Sequence, residues 1–190
     1  MKLSALDYSF DKLLFLSKFV RSPRTVGSLV PSSRFLANAV LAPINWDEIY
    51  SIAELGAGTG AFTRCIAERR RSSCISLIFE RDDDMRARLQ FQYPAENYFK
   101  EAVNLSHALD EFHLKSVDCI VSGLPFANFT QQKRAEILQQ VKSNLSSGGQ
   151  FITFQYSLQM KQQLSETFRS VKIGFVPFNF PPAFVYYCRK

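Results

Sequence analysis

Glu54-Leu55-Gly56-Ala57-Gly58-Thr59-Gly60 is the stretch on which the fold turns. It follows an apolar run, Ser51 to Leu55, and opens a segment of helical spacing from Ala61 to Arg70. A glycine pattern between a strand and a helix is the setting of a nucleotide-binding loop. Glycine permits the tight turn and lets backbone approach a ligand, because a side chain at Gly56 or Gly58 would occupy the ligand's space. Glu80, 20 residues after Gly60, closes the second apolar run, Ile75 to Glu80. Doubly wound folds place an acid there to accept hydrogen bonds from ribose hydroxyls.

Outward from this loop, short apolar runs alternate with amphipathic segments from about Tyr50 onward, as parallel strands with crossover helices do. Further strands are expected at Tyr98 to Glu101, Val117 to Ser122, Gln150 to Tyr156, Val171 to Val176 and Phe184 to Arg189. Helices are expected at Asp83 to Gln92, Leu105 to Phe112, Gln131 to Leu145 and Leu158 to Phe168. A Pro-rich loop too short for a helix joins the last two strands, so they form an antiparallel hairpin. The predicted fold class is α/β and Rossmann-like, with a seven-stranded, mostly parallel sheet, an antiparallel C-terminal strand and N-terminal helices.

Residues 1–48 read as a separate N-terminal helical segment and 49–190 as the ligand-binding domain. Leu3, Leu6, Phe10, Leu13 and Leu14 recur at helical spacing, and Leu16, Phe19 and Val20 widen that face. From Met1 to Arg24, five basic residues stand against Asp7 and Asp11, a net +3. A wide apolar face with a basic excess suits the interface of an anionic bilayer. Ser33 is the expected N-cap of a second helix from Arg34 to Leu41.

The 190 residues suit one compact domain, and 46% hydrophobic against 21% charged residues is ordinary globular usage. A net charge of +6 favours anionic partners, phospholipid surfaces or nucleic acid alike. Cys65, Cys74, Cys119 and Cys188 form no close pair, so they read as reduced, buried thiols, and no metal site is expected. No apolar stretch approaches the roughly 20 residues of a membrane span and the start is unlike a secretory signal. The expected location is the cytoplasm, with access to the inner face of the membrane; composition sets no oligomeric state.

NAD competes for the loop, since Gly56, Gly58 and Ala61 also satisfy G-x-G-x-x-G/A. Against it stand an acid, Glu54, two residues before the first glycine, the lack of a second half-sheet, and the long segment before the first strand. The loop resembles the E/D-x-G-x-G-x-G motif of class I S-adenosylmethionine (SAM) dependent methyltransferases and matches it at every fixed position. That resemblance implies SAM as cofactor. Glu54 would organise the loop at the methionine end, Gly56, Ala57, Gly58 and Gly60 would line amino acid and ribose, and Glu80 with Arg81 would hold the ribose side. Glu101 and Ala102, at the end of the third strand, would contact adenine, and Ser122 would complete the cofactor contacts. Phe79 reads either as a neighbour of the ring or as a core aromatic.

The fourth strand leads into Ser122-Gly123-Leu124-Pro125-Phe126, the methyl-acceptor position. Leu124-Pro125-Phe126 resembles the N-L-P-Y/F of ribosomal RNA adenine dimethylases, but Gly123 stands where Asn would accept from the adenine amine. More of the chain resembles bacterial phospholipid N-methyltransferases, in Gly27 to Ser33, the glycine loop, Ser122 to Phe126 and Asn179-Phe180-Pro181-Pro182-Ala183. Phe154-Gln155-Tyr156 is similar to that family's F-T-Y, with Gln155 the departure. This resemblance implies an enzyme that methylates phosphatidylethanolamine at the membrane surface, with the Pro125 carbonyl and Tyr156 contacting the amine. Phe175, Phe178, Phe180, Phe184, Tyr186 and Tyr187 offer aromatic faces for an amine that becomes quaternary. The alternatives are an RNA or DNA adenine N-methyltransferase and a non-catalytic SAM- or nucleotide-binding module. Neither His107 nor His113 sits in a motif.

Overall fold

In the computed structural model, which describes residues 31–190, the run Ser51–Leu55 forms β1, buried along its whole length. Parallel partners flank it, β2 at Ile75–Phe79 and β4 at Val117–Ser122. β3 at Asn97–Phe99 extends the sheet beyond β2, and β5 at Leu145–Gln155 extends it beyond β4, both parallel. β6, Ser170–Val176, and β7, Ala183–Arg189, form the closing hairpin. β7 lies antiparallel beside β5, giving the order β3-β2-β1-β4-β5-β7-β6. The predicted seven-stranded, mostly parallel sheet with its antiparallel last strand is what forms.

Among the described residues three α-helices pack on each face. α1 (Pro31–Leu41), α2 (Ala61–Arg69) and α3 (Asp83–Gln92) cover one side, joining Leu36, Val40, Ile66 and Leu89 to Ile52, Ile78 and Val121 of the sheet. α4 (Leu105–Glu111), α5 (Gln131–Asn144) and α6 (Lys161–Thr167) cover the other, where Leu109, Val141 and Leu164 meet Leu55, Phe79 and Phe151. Strands buried on both faces must be apolar on both, which is why β1 and β4 read as continuous apolar runs. Asp82 and Thr130 cap α3 and α5, each side chain accepting from the N–H three residues on.

Several boundaries differ from the sequence expectation. β5 begins at Leu145, not Gln150, so the strand runs through Gly148-Gly149. The ladder to β4 shifts between Val117 and Cys119, and a Cβ at Gly149 would lie 2.9 Å from the Ser146 carbonyl oxygen and 3.0 Å from that of Asp118. This irregular strand start accepts only glycine. β3 stops at Phe99, so Glu101 stands beyond the strand, where the chain enters a 3-10 turn at Ala102–Asn104. The helix expected from Leu158 opens as a 3-10 turn, and α6 proper starts at Lys161.

α1 starts at Pro31 rather than Arg34, which puts Ser33 inside the first turn instead of at the cap. Proline suits the first helical position because its missing N–H has no partner there. Residues 31–190 form one compact unit, so α1, grouped by sequence with the segment 1–48, packs as part of the sheet domain. The amphipathic helix expected from Leu3 to Val20 lies outside the described residues. Among the described residues no helix is long and apolar enough to cross a membrane.

Candidate active site

The strand order reverses between β1 and β4, and a doubly wound sheet binds its ligand at the carboxyl edge of that switch point. Both motif loops leave the sheet there. Gly56 and Ala57 each donate an N–H to the Phe79 carbonyl of β2, at 2.9 and 3.0 Å, and Gly60 donates to the Ala57 carbonyl at 2.9 Å. Gly56, Gly58 and Gly60 all have left-handed φ values, 78°, 56° and 84°. The three are not equivalent. A Cβ at Gly56 would lie 2.9 Å from Leu124 Cδ2, and one at Gly60 would lie 2.4 Å from Leu89 Cδ2, whereas one at Gly58 would have nothing within 4 Å. The space expected at both Gly56 and Gly58 is found at Gly58 alone, and Gly56 is kept bare by the acceptor loop.

Glu80 is buried at the end of β2 and braces this loop. Its Oε2 accepts from the Gly58 N–H at 2.6 Å and its Oε1 from the Asp82 N–H at 2.8 Å. Arg86 donates to the Glu80 carbonyl at 2.9 Å. Arg81 is largely exposed and lies 3.9 Å from the half-exposed Glu101, a surface pair of little energetic weight. Ala102 is half-buried against the α4–α6 core. Phe79 is buried in that core and stacks on Phe99 with centroids 5.2 Å apart, the core-aromatic alternative.

Glu54 on β1 is fully buried beneath the glycine loop. Its Oε2 accepts from Thr63 Oγ1 of α2 at 2.7 Å, while Oε1 has no partner among the described residues. Burial pushes its carboxyl from 4.5 up to about 8, against the lowering effect of Thr63. Folding therefore takes up a proton between those values, and the native state loses stability as pH rises through that window. Urea unfolding of wild type and Glu54→Gln is expected to agree at pH 5. By pH 8 the variant should be the more stable, by on the order of 3 kcal/mol. Parallel pH profiles for the two proteins would show that Glu54 is not the group responsible.

The acceptor segment is tied down at each residue. Ser122 is fully buried, its hydroxyl accepting from the Leu124 N–H at 3.2 Å and its carbonyl from Thr153 Oγ1 at 3.1 Å. The hydroxyl named for the cofactor thus also holds the turn, and it keeps its O–H as a donor. Gly123 donates to the Leu55 carbonyl at 2.9 Å, and a Cβ there would lie 2.7 Å from the Gly56 carbonyl oxygen. Gln155 Nε2 donates to the Leu124 carbonyl at 3.1 Å. The Pro125 carbonyl accepts from the Asn128 N–H at 2.9 Å and keeps its second lone pair. Phe126 anchors the segment in the core.

Tyr156 is 38% exposed at the end of β5, edge-on to Phe154, whose ring in turn meets Phe62 of α2. Burial raises its hydroxyl above the ordinary value, so at neutral pH it is a phenol and not a base. The six C-terminal aromatics do not form one cage. Tyr186 is core, donating to the Ser157 carbonyl at 3.2 Å, and Tyr187 donates to the Ala39 carbonyl at 3.0 Å from the opposite face. Phe175, Phe178 and Phe180 are exposed. Alternation along β7 sends neighbouring rings to different faces, which a sequence count of aromatics ignores.

Chemistry-bearing groups elsewhere are structural. His107 pairs with Glu111 on the exposed face of α4, and His113 lies past the end of that helix, at the opposite edge of the sheet from the loops. All four cysteines are buried free thiols, as expected, and burial pushes Cys188 up to about 12 and Cys74 to about 11. Among the described residues no three His, Cys, Asp or Glu side chains are grouped to hold a metal ion. Thr63 and Gln155 are the site residues the sequence reading missed; Gln155 stood out there only as a departure from F-T-Y.

A Rossmann-like sheet with these loops at its switch point is the frame of a nucleotide-type cofactor site, and the family it matches makes this protein a SAM-dependent methyltransferase. Residues 27–175 match the methyltransferase small domain family, and the chain belongs to that family. An ornithine lipid N-methyltransferase of Singulisphaera acidiphila is 32% identical over 187 residues, covering 94% of this chain and 96% of the relative. The fold is shared with the Burkholderia thailandensis 1,6-didemethyltoxoflavin-N1-methyltransferase, solved with S-adenosylhomocysteine bound. That likeness has a TM-score of 0.69 and 13% identity, over 100% of this chain and 92% of that one. A SAM-dependent methyltransferase from Archaeoglobus fulgidus gives a TM-score of 0.63 and 18% identity over 94% and 99%.

Proposed function

We propose that the protein transfers methyl groups from SAM to the amine of phosphatidylethanolamine-type phospholipids at the membrane surface. The acceptor segment carries this reading. Base-methylating enzymes offer an amide side chain to the amine at the position of Gly123, and here that position has neither a side chain nor room for one beside the Gly56 carbonyl. The S. acidiphila relative, which N-methylates an ornithine lipid, supports a lipid amine as acceptor.

The residues at the switch point fit the cofactor. The unpartnered Glu54 Oε1 is an acceptor for the ammonium of the methionine end, and the open side of Gly58 leaves a cradle for the ribose beside Glu80. Gly56, Ala57 and Gly60 shape that cradle, Arg81 borders its ribose side beside Glu80, and Glu101 and Ala102 border its adenine side. SAM, when bound, supplies a methyl group on a sulfonium, open to in-line attack by an amine lone pair. The protein's part is then to desolvate and aim the amine, for which positioning alone supplies much of the acceleration. The free lone pair of the Pro125 carbonyl and the Tyr156 hydroxyl would hold the amine, while Gln155 keeps the acceptor loop in place from below. The basic, amphipathic N-terminal segment would add membrane affinity.

Incubation with methyl-labelled SAM and separate pools of phosphatidylethanolamine, ornithine lipid and RNA tests the reading. Label is expected in phosphatidylethanolamine. Label confined to ornithine lipid would move the substrate within the lipid class, and label in RNA would overturn the proposal.

A further inference from the structure

Between β6 and β7 run six uncharged residues, Pro177-Phe178-Asn179-Phe180-Pro181-Pro182. Asn179 is buried, and its Nδ2 donates to the Pro181 carbonyl at 2.6 Å. With Asn179 held inward, its neighbours face out, and Phe178 is 75% and Phe180 68% exposed. Phe178 leans on Phe35 of α1, 52% exposed, with ring centroids 5.8 Å apart. Pro177 and Pro182 are exposed beside them. Rings this open cannot cage a small amine, and water gains nothing from them.

The position of this patch is fixed by register. Val176 pairs with Ala183 and Gln155 with Phe184, so the loop stands at the same sheet edge as Gln155, the clamp of the acceptor loop. Charge is uneven along that edge. Pro31 to Trp46, Ser146 to Ser165 and Thr167 to Lys190 contain no acid, whereas Asp82, Asp83, Asp84 and Glu101 gather at the far end beyond β2 and β3. Arg34, near the start of α1, and Lys161, the first residue of α6, are exposed where their helices leave this edge.

We propose that the 177–182 loop and Phe35 are the bilayer contact of this protein. Aromatic rings and prolines without charge partition into the boundary between headgroups and acyl chains, and the flanking cations favour anionic lipid. Seated there, the loop turns the acceptor edge toward the headgroup layer, so an amine reaches the site without its lipid leaving the membrane. The choice of a bilayer as partner rests on the lipid-amine reading above; the exposure and charge of the patch do not.

The test uses the full chain and vesicles of equal parts phosphatidylglycerol and phosphatidylethanolamine. Wild type is expected to float with the vesicles, and a Phe178→Ser/Phe180→Ser variant to bind about tenfold more weakly or worse. Phe91→Ser, at a residue 88% exposed on α3, should bind as wild type. Phe178→Trp should gain a blue-shifted emission on vesicles that brominated acyl chains quench. Monomeric dihexanoyl phosphatidylethanolamine needs no bilayer, so the double variant should methylate it as wild type does. Undiminished flotation of the double variant, no quenching, or equal loss of turnover on monomeric and vesicle lipid would each overturn the proposal. Flotation that depends on both phenylalanines, without methylation of either lipid form, would leave the contact surface standing and remove the lipid-amine reading.

Discussion

Gly58→Val is expected to lose SAM and S-adenosylhomocysteine affinity by on the order of a hundredfold while the protein stays folded. The two effects separate because of what surrounds Gly58. An added Cβ meets no protein atom within 4 Å, so a side chain there starts out into the open space beside Glu80 rather than into the core. The φ of 56° makes a β-branched residue costly, about 1–2 kcal/mol, which a packed domain of this size absorbs with a modest fall in Tm. Gly60 is the contrasting control: a Cβ there runs into Leu89, so its substitution acts through stability. Calorimetry with either ligand, beside a thermal melt, checks both. Wild-type affinity in Gly58→Val would remove the loop from the cofactor site.

Gly123→Asn restores the N-L-P-F pattern of base-methylating enzymes, and the expected result is loss of function instead of a new one. The Asn Cβ would sit 2.7 Å from the Gly56 carbonyl oxygen, a backbone atom held in place because Gly56 itself donates to Phe79. Relief requires the β4 loop to move away from the β1 loop, breaking the Gly123–Leu55 and Gln155–Leu124 hydrogen bonds. Donor and acceptor geometry fail together, so lipid methylation should fall by on the order of a hundredfold and S-adenosylhomocysteine affinity should fall with it. Steady-state turnover and ligand titration measure the two. Wild-type lipid turnover, or methylation of RNA gained by the variant, would contradict this account of the acceptor segment.

The elements around Glu54 to Gly60 were legible because β1 and β2 are buried on both faces and so carry uninterrupted apolar runs, with glycines marking the turn between them. The antiparallel hairpin followed from a loop too short to hold a helix. Other features were not legible because they depend on contacts distant in sequence. Nothing near Gly56 announces that Leu124 fills its side, and Glu80 gives no local sign that it bonds the Gly58 N–H, 22 residues away. Nothing near Gly149 announces that the Ser146 and Asp118 carbonyls take the space of its missing side chain, where β5 begins early. Gln155 looked like an exception to a pattern, and only its reach to the Leu124 carbonyl gives it a purpose.

β7 is the last strand of the chain, yet it lies inside the sheet, hydrogen-bonded to β5 on one side and β6 on the other. During synthesis β5 and β6 are therefore made before the strand that joins them, and each keeps an unpaired edge until β7 is added. The sheet cannot close while Ala183–Arg189 are still within the ribosomal exit tunnel. Chains cut short within Ala183–Arg189 would expose the β5 edge to pairing with other chains, so β7 acts as the seal of the sheet.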